Sequence, residues 1–257
     1  MAITFEMDIG ETLASSRLAG VVSHIPFRSV NSETVAEETQ SSAIAAFGGR
    51  TVGYFVTSAT AVTQRVLHCD TPILGSLLDT AMMLNQERLR LPRGVLGAEC
   101  AFGFIIGAPY PDPHQDITRS AVERIIIGCE PMITVLGRRV PAAIPLNSWT
   151  ATADFALHVA SVKGPPVFDL RFEDLPGTEV VATIDGAVMG RGIGGDIMGD
   201  PLEGVIWVAK ALKARGRQLS PGNIVAVGGC AGLFQVRPGQ VFKADFAELG
   251  SVEAAFD

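Results

Sequence analysis

Apolar residues return at helical spacing through roughly the first fifty positions and at strand spacing afterwards. The stretch from about Asp8 to Phe47 reads as helical. Ser32 caps a helix with Glu33 in its first turn, and Gly48-Gly49 stops it. Thr51 to Thr57, rich in β-branched and aromatic residues, predicts a strand, as does Gly97 to Ile106. A loop rich in Pro, Asp and His spans Ala108 to Gln115, and Asp116 is placed to cap a helix over Ile117 to Val135. Asp154 to Val162 predicts another strand, before the turn Lys163-Gly164-Pro165-Pro166. Val180 to Ile184 and Ala187 to Met189 flank Asp185-Gly186 as a hairpin.

The clearest local signal is Gly199-Asp200-Pro201. Asp200 is a strong N-cap and Pro201 fits the first helical turn. Leu202, Val205, Ile206, Ala209 and Leu212 then share one helical face up to Gly216. Strands are expected at Ile224 to Val227 and Gln240 to Ala247, separated by the Gly-rich run Gly228 to Gly232. The whole reads as a β-rich α+β fold, with a helical part at 1–50 and a β-rich core at 51–257, forming one structural unit.

Composition narrows the function. Of 257 residues, 47% are hydrophobic and 18% charged, enough to bury a large core and too apolar for disorder. The net charge of -7 argues against nucleic acid and anionic membranes as partners. No apolar run reaches membrane-spanning length, and residues 1–10 lack the basic and apolar regions of a leader. Four cysteines without metal-ligand spacing fit a reducing cytoplasm. There is no dinucleotide fingerprint and no Gly-x-Ser-x-Gly elbow, so a nucleotide cofactor is not expected.

The C-terminal third carries Gly190-Arg191-Gly192, Met198-Gly199-Asp200-Pro201-Leu202, Trp207-Val208-Ala209, Leu219-Ser220-Pro221-Gly222-Asn223-Ile224 and Leu249-Gly250-Ser251-Val252. In that order and spacing these motifs resemble the 2-keto-4-pentenoate hydratase family, within the fumarylacetoacetate-hydrolase superfamily. The resemblance implies a twisted β-roll core with an N-terminal helical part, 2-oxo or 2-enol acid substrates, a homo-oligomer, and a divalent ion such as Mg²⁺ or Mn²⁺.

It also implies a site. The family's Glu-x-Glu falls on Gly97-Ala98-Glu99 and its third acid on Glu130, so one metal ligand has become Gly97. Two carboxylates closed by substrate oxygens would then have to hold the ion; the bland alternative is that Glu99 and Glu130 are hydrogen-bonded remnants. The family's Lys falls on Phe55, its Asp on Ile73 within Pro72-Ile73-Leu74-Gly75, and its Ser on Ala156. A pocket lined by Phe55, Ile73, Leu74 and Ala156 prefers a bulkier, less polar ligand.

Asp154, Ala156 and His158 would alternate on one strand face, making Asp154 and His158 an acid–base pair around the pocket, with Asp79 a further candidate. For His158 a satisfied core histidine is the competing reading, and for Asp79 a helix cap. Arg191 and the backbones of Gly228 and Gly229 are candidates for holding a substrate carboxylate, against plain close packing. The expectation is therefore a hydratase-like or decarboxylase-like lyase. The alternatives are changed chemistry on the same scaffold (tautomerase, dehydratase, cyclase or C–C hydrolase) or a non-catalytic binding protein.

Overall fold

The structure, a computed structural model, describes residues 8–114 and 116–257. The stretch read for a leader lies outside the described residues as far as position 7, as does Gln115 at the end of the expected loop.

Two helices open the chain, as the early periodicity requires. Asp8 accepts from the Gly10 N–H (2.7 Å) to start α1 (Ile9–Ala19), and Ser32 Oγ accepts from Val35 N–H to start α2 (Glu33–Phe47). The strands and helices that follow are β1 (Thr51–Thr57), α3 (Ala61–Leu67), β2 (Ile73–Leu78), β3 (Met82–Leu84), β4 (Arg88–Leu89), β5 (Val95–Ile106), α4 (Arg119–Ile125), β6 (Ile126–Gly137), α5 (Ser148–Ala153), β7 (His158–Lys163), β8 (Glu179–Ile184), β9 (Ala187–Ile193), α6 (Pro201–Ala214), β10 (Ile224–Phe234), β11 (Val241–Asp245) and β12 (Ser251–Phe256).

The described strands form two mixed sheets. One has seven strands in the order β2-β1-β10-β5-β6-β7-β3, and the other five, in the order β4-β12-β11-β8-β9. The main core lies between them. Val56, Phe102, Phe104, Ile133 and Val227 of the first sheet meet Ala182, Phe242, Ala244 and Val252 of the second, joined by the apolar face of α6. A Cβ on Gly204 would sit 2.4 Å from Val227, so α6 presses directly onto β10.

Two expected elements are corrected. The helix over Ile117 to Val135 is only α4, capped by Thr118 rather than Asp116. From Ile126 the β-branched run extends as β6 and pairs with β5 along its length. The strand expected from Asp154 begins only at His158. Phe155, Ala156 and Leu157 take φ of 53°, 51° and 67°, a left-handed turn that breaks the alternation on which the Asp154–His158 pairing rested. In addition, β10 runs on past Val227 through the glycines to Phe234.

Those glycines join the two sheets. The β10–β5 register shifts between Gly228 and Leu233, and Gly229 and Gly232 have φ of 91° and 107°. The bulged backbone comes against β9: a Cβ on Gly192 would lie 2.2 Å from Cys230 O, and one on Gly190 2.5 Å from Ala231 O. The glycines of Gly190-Arg191-Gly192 are thus required by close packing.

Candidate functional site

Behind the main core, the other face of the seven-stranded sheet closes over a second apolar cluster. Register places Phe55, Ala226, Gly103 and Glu130 in one cross-strand row, Gly228, Ala101 and Met132 in the next, and Glu99, Thr134 and Ser161 in a third. Phe55, Ile73 and Ala156, the three apolar replacements, belong to this cluster together with Ala101, Met132 and Leu157. Three distant segments therefore converge, as the resemblance implied. Phe55 lies flat on Gly75, where an added Cβ would be 1.8 Å from the ring. Leu74 points the opposite way, packs on the main core and lines an outer cleft of about 1220 Å³ that also reaches Ile73.

Glu99 and Glu130 share this interior face, and both are buried. Glu99 Oε2 and Glu130 Oε1 have no hydrogen-bond partner among the described residues. Burial pushes the Glu99 carboxyl up to about 8. Burial also raises that of Glu130, to about 7, against the pull of Lys163. At neutral pH the first holds its proton and the second is near its midpoint. Glu99 Oε2 faces the bulge, 3.1 Å from where a Cβ of Gly229 would lie, and Thr63 flanks the same point. Met132 Sδ leans over Gly103 beside Glu130.

The described residues offer a divalent ion at most two buried carboxylates here, Glu99 and Glu130. Glu99 pairs with Thr134 and Glu130 with Gly103, so the two glutamates are four residues apart along β5. That is about 13 Å of strand, with the Met132–Ala101 row between them. At position 97 a Cβ would come within 2.5 Å of Phe234 O, which leaves no room for the missing carboxylate. Among the described residues no three His, Cys, Asp or Glu side chains gather as a metal centre.

The expected carboxylate–imidazole pair is not formed. Asp154 ends α5, where its Oδ2 accepts from the Arg139 N–H (2.7 Å) and Oδ1 lies 3.1 Å from Arg139 Nη1. Burial raises the Asp154 carboxyl, opposed by Arg139 and Arg17. His158 instead stands at the site's edge: its ring centroid is 4.8 Å from that of Phe55, and Nε2 is 2.9 Å from Ser161 Oγ. Arg17 Nη2 donates to Nδ1 (3.2 Å), which fixes the neutral tautomer with its proton on Nε2. Burial, and then Arg17 and Arg139, hold the imidazole well below its usual range.

Arg139 also donates to the carbonyls of Asp154 (3.3 Å) and His158, and Thr57 Oγ1 donates to Ala156 O (2.9 Å). These bonds hold the left-handed turn that carries Ala156 into the cluster. Sequence reading missed Arg17, Thr57, Thr134, Arg139 and Ser161. Thr134 was legible as a polar residue four positions after Glu130, on the same strand face, but the helix expected there concealed it.

Asp79 and Arg191 lie outside the site. Asp79 is exposed, accepts from the Arg50 N–H (3.0 Å) and turns the chain between β2 and β3. Arg191 is exposed and pairs with Glu179 at 2.6 Å. Gly229 does border Glu99, and Gly228 backs Ala101.

The model of the family described as fumarylacetoacetate (FAA) hydrolase C-terminal matches residues 31–257. The chain belongs to that family. Among family relatives, a 2-keto-4-pentenoate hydratase of Paraburkholderia xenovorans is 26% identical over 216 residues, 82% of this chain and 77% of the relative. A TodF product hydratase of Pseudomonas putida F1 is 28% identical over 91% of this chain and 89% of its own length. The solved 4-oxalocrotonate decarboxylase of Pseudomonas putida G7, complexed with magnesium and adipate, superposes with a TM-score of 0.86 at 21% identity, covering 100% of this chain and 99% of that one. A second structure of that decarboxylase holds calcium and acetate. The chain thus has the scaffold of an enzyme family whose members similar to it include hydratases and decarboxylases, in keeping with the lyase expectation. Among the described residues no helix is long and apolar enough to cross a membrane.

Proposed function

We propose that this protein is a lyase that ketonises and then hydrates, or alternatively decarboxylates, a 2-enol acid with a bulkier and less polar body than a pentadienoate. The observation that carries the reading is the pair of buried, unpartnered carboxyls, Glu99 and Glu130, at two ends of an apolar face lined by Phe55, Ile73, Ala101, Met132 and Ala156. Ketonising a dienol removes a proton at the enol oxygen and adds one at a distant carbon. Two carboxyls poised near neutrality and set apart along a strand suit that division: Glu130 as the base and protonated Glu99 as the acid.

Phe55, Met132 and Ile73 would exclude water around the reacting chain, which strengthens both carboxyls as proton carriers. Neutral His158, bonded to Ser161, packs its ring against Phe55; Asp154 serves through Arg139 as a positioning residue. Asp79 and Arg191 have no part in this reading. A divalent ion, when bound, would supply stabilisation of enolate charge; given the donor set, no step here runs through one. The same reading takes the protein to be a cytoplasmic homo-oligomer.

The test is turnover of 2-hydroxypenta-2,4-dienoate and of analogues with larger apolar groups, followed by loss of dienol absorbance and by CO₂ release. It is run in EDTA and again with Mg²⁺ or Mn²⁺. Larger analogues should be preferred, and Glu99→Gln or Glu130→Gln should each lower kcat/KM by about 10²–10⁴-fold. No turnover of any analogue under any of these conditions would overturn the reading.

A further inference from the structure

A second cleft, of about 740 Å³, opens between the end of α1, the β3–β5 segment and the β6–β7 end of the large sheet. Its wall holds five arginines, Arg17, Arg90, Arg93, Arg138 and Arg139, and no Asp or Glu. For a chain of net charge -7 this is a local reversal of sign. The five are not equivalent. Arg139 is matched by Asp154, and Arg138 donates to the carbonyls of Val140 (2.9 Å), Pro141 (2.7 Å) and Ile144. Arg90 and Arg93 are exposed and make no ion pair among the described residues.

Arg17 is the informative one. Its guanidinium is deeply buried between the Phe47 and Phe155 rings, 4.6 and 4.5 Å from their centroids. Nη2 is used by His158 and Val159 O, whereas Nη1 is buried with no partner among the described residues. A buried guanidinium with an unused N–H and no carboxylate on Nη1 is costly. Nη1 is closed to solvent in this conformation, so an anion in the cleft reaches it once the side chains covering it shift, and would then remove that cost. Leu18, Val21, Met83, Leu91 and Pro92 supply an apolar part of the wall, with Ser16 and Thr80 as its uncharged polar members. The volume suits a small organic molecule.

We propose that this cleft binds an amphipathic organic anion: a carboxylate held by Arg17, Arg90 and Arg93, with an aliphatic or aromatic body on the apolar wall. Neither Glu99 nor Glu130 lines the cleft, which touches the interior through the Arg17–His158 bond. The proposal does not depend on the lyase reading.

Calorimetric and thermal-shift titration of the full chain with hexanoate tests it, with inorganic phosphate at matched ionic strength as the control for bare charge. Hexanoate should bind saturably, near one per chain, and raise Tm. The exposed double variant Arg90→Ser/Arg93→Ser should weaken binding at least tenfold, and Arg17→Met more. Glu99→Gln, in the interior, should leave it within twofold. The double variant keeps the test decisive if Arg17→Met fails to fold. Non-saturable binding, binding indifferent to the double variant, equal affinity for phosphate, or loss in Glu99→Gln would each overturn the proposal.

Discussion

Two groups of buried ionisable side chains lie within this fold and are treated in opposite ways. Around the left-handed turn, Asp154, Arg139 and His158 are buried and bonded: the carboxylate to a backbone N–H and a guanidinium, the imidazole to Ser161 and Arg17. Across the interior, Glu99 and Glu130 are as thoroughly buried, yet each has an oxygen without a partner. The first group uses its charge to fix backbone in a strained conformation. The second leaves each carboxyl with an unpartnered oxygen beside an apolar cluster. The unbonded carboxyl oxygens of the second group are what the proposed acid–base roles of Glu99 and Glu130 rest on.

The largest expected difference lies in stability. Asp154→Ala removes one partner of a buried ion pair and strands Arg139, and should cost about 3–5 kcal/mol. Urea unfolding measures it; Glu99→Gln, which keeps the shape of a protonated carboxyl, should cost far less. If the two variants lost equal stability, the contrast would fail.

The next test is pH. The folded-state value of Glu99 is about 8 against an ordinary 4.5, and that of Glu130 is about 7. A carboxyl raised in the folded state binds protons more tightly there than when unfolded. Its contribution to stability is therefore complete below the unfolded value and is lost as pH rises through the folded value. Between pH 5 and 9 the protein should lose stability on the order of a few kcal/mol. Glu99→Gln should remove most of the fall above pH 7. A flat wild-type profile would mean that the carboxyls are solvated.

These contrasts were only partly legible in the sequence. Ser32, Asp200 with Pro201, and the Asp185-Gly186 hairpin carry their signals within a few residues, and all three form as expected. Phe55, Ile73 and Ala156 were readable as apolar substitutions through the family resemblance, and they do converge. The Arg139–Asp154 clamp was not readable, because it joins side chains across a turn with three consecutive positive φ values and no glycine. Alternation assumes extended backbone, so Asp154 and His158 seemed to share a face that does not exist. Likewise, the helix-like start at Arg119–Ile125 concealed the point where β-branched residues take over.

A smaller effect sharpens the chemical side. Gly97→Glu restores the family's carboxylate in sequence, but its Cβ would strike Phe234 O at 2.5 Å. Overpacking of this kind costs about 1–3 kcal/mol. The variant should therefore lose stability without gaining Mn²⁺ affinity, as read by paramagnetic resonance of the free ion. Tight Mn²⁺ binding by this variant would show that β10 yields more readily than its register suggests.

The smallest effect concerns how the turn is held. Thr57→Val keeps the side-chain shape and deletes the bond to Ala156 O, leaving a buried carbonyl without that donor. The expected cost is about 1–2 kcal/mol, seen as a lower Tm. Because Ala156 lies in the interior cluster, the variant should also raise KM for the preferred analogue more than it lowers kcat, since the cluster's floor loosens while Glu99 and Glu130 stay in place. A change in stability alone, with kinetics untouched, would assign the turn wholly to architecture. A fall in kcat alone would place Ala156 nearer the reacting atoms than the two-group contrast allows.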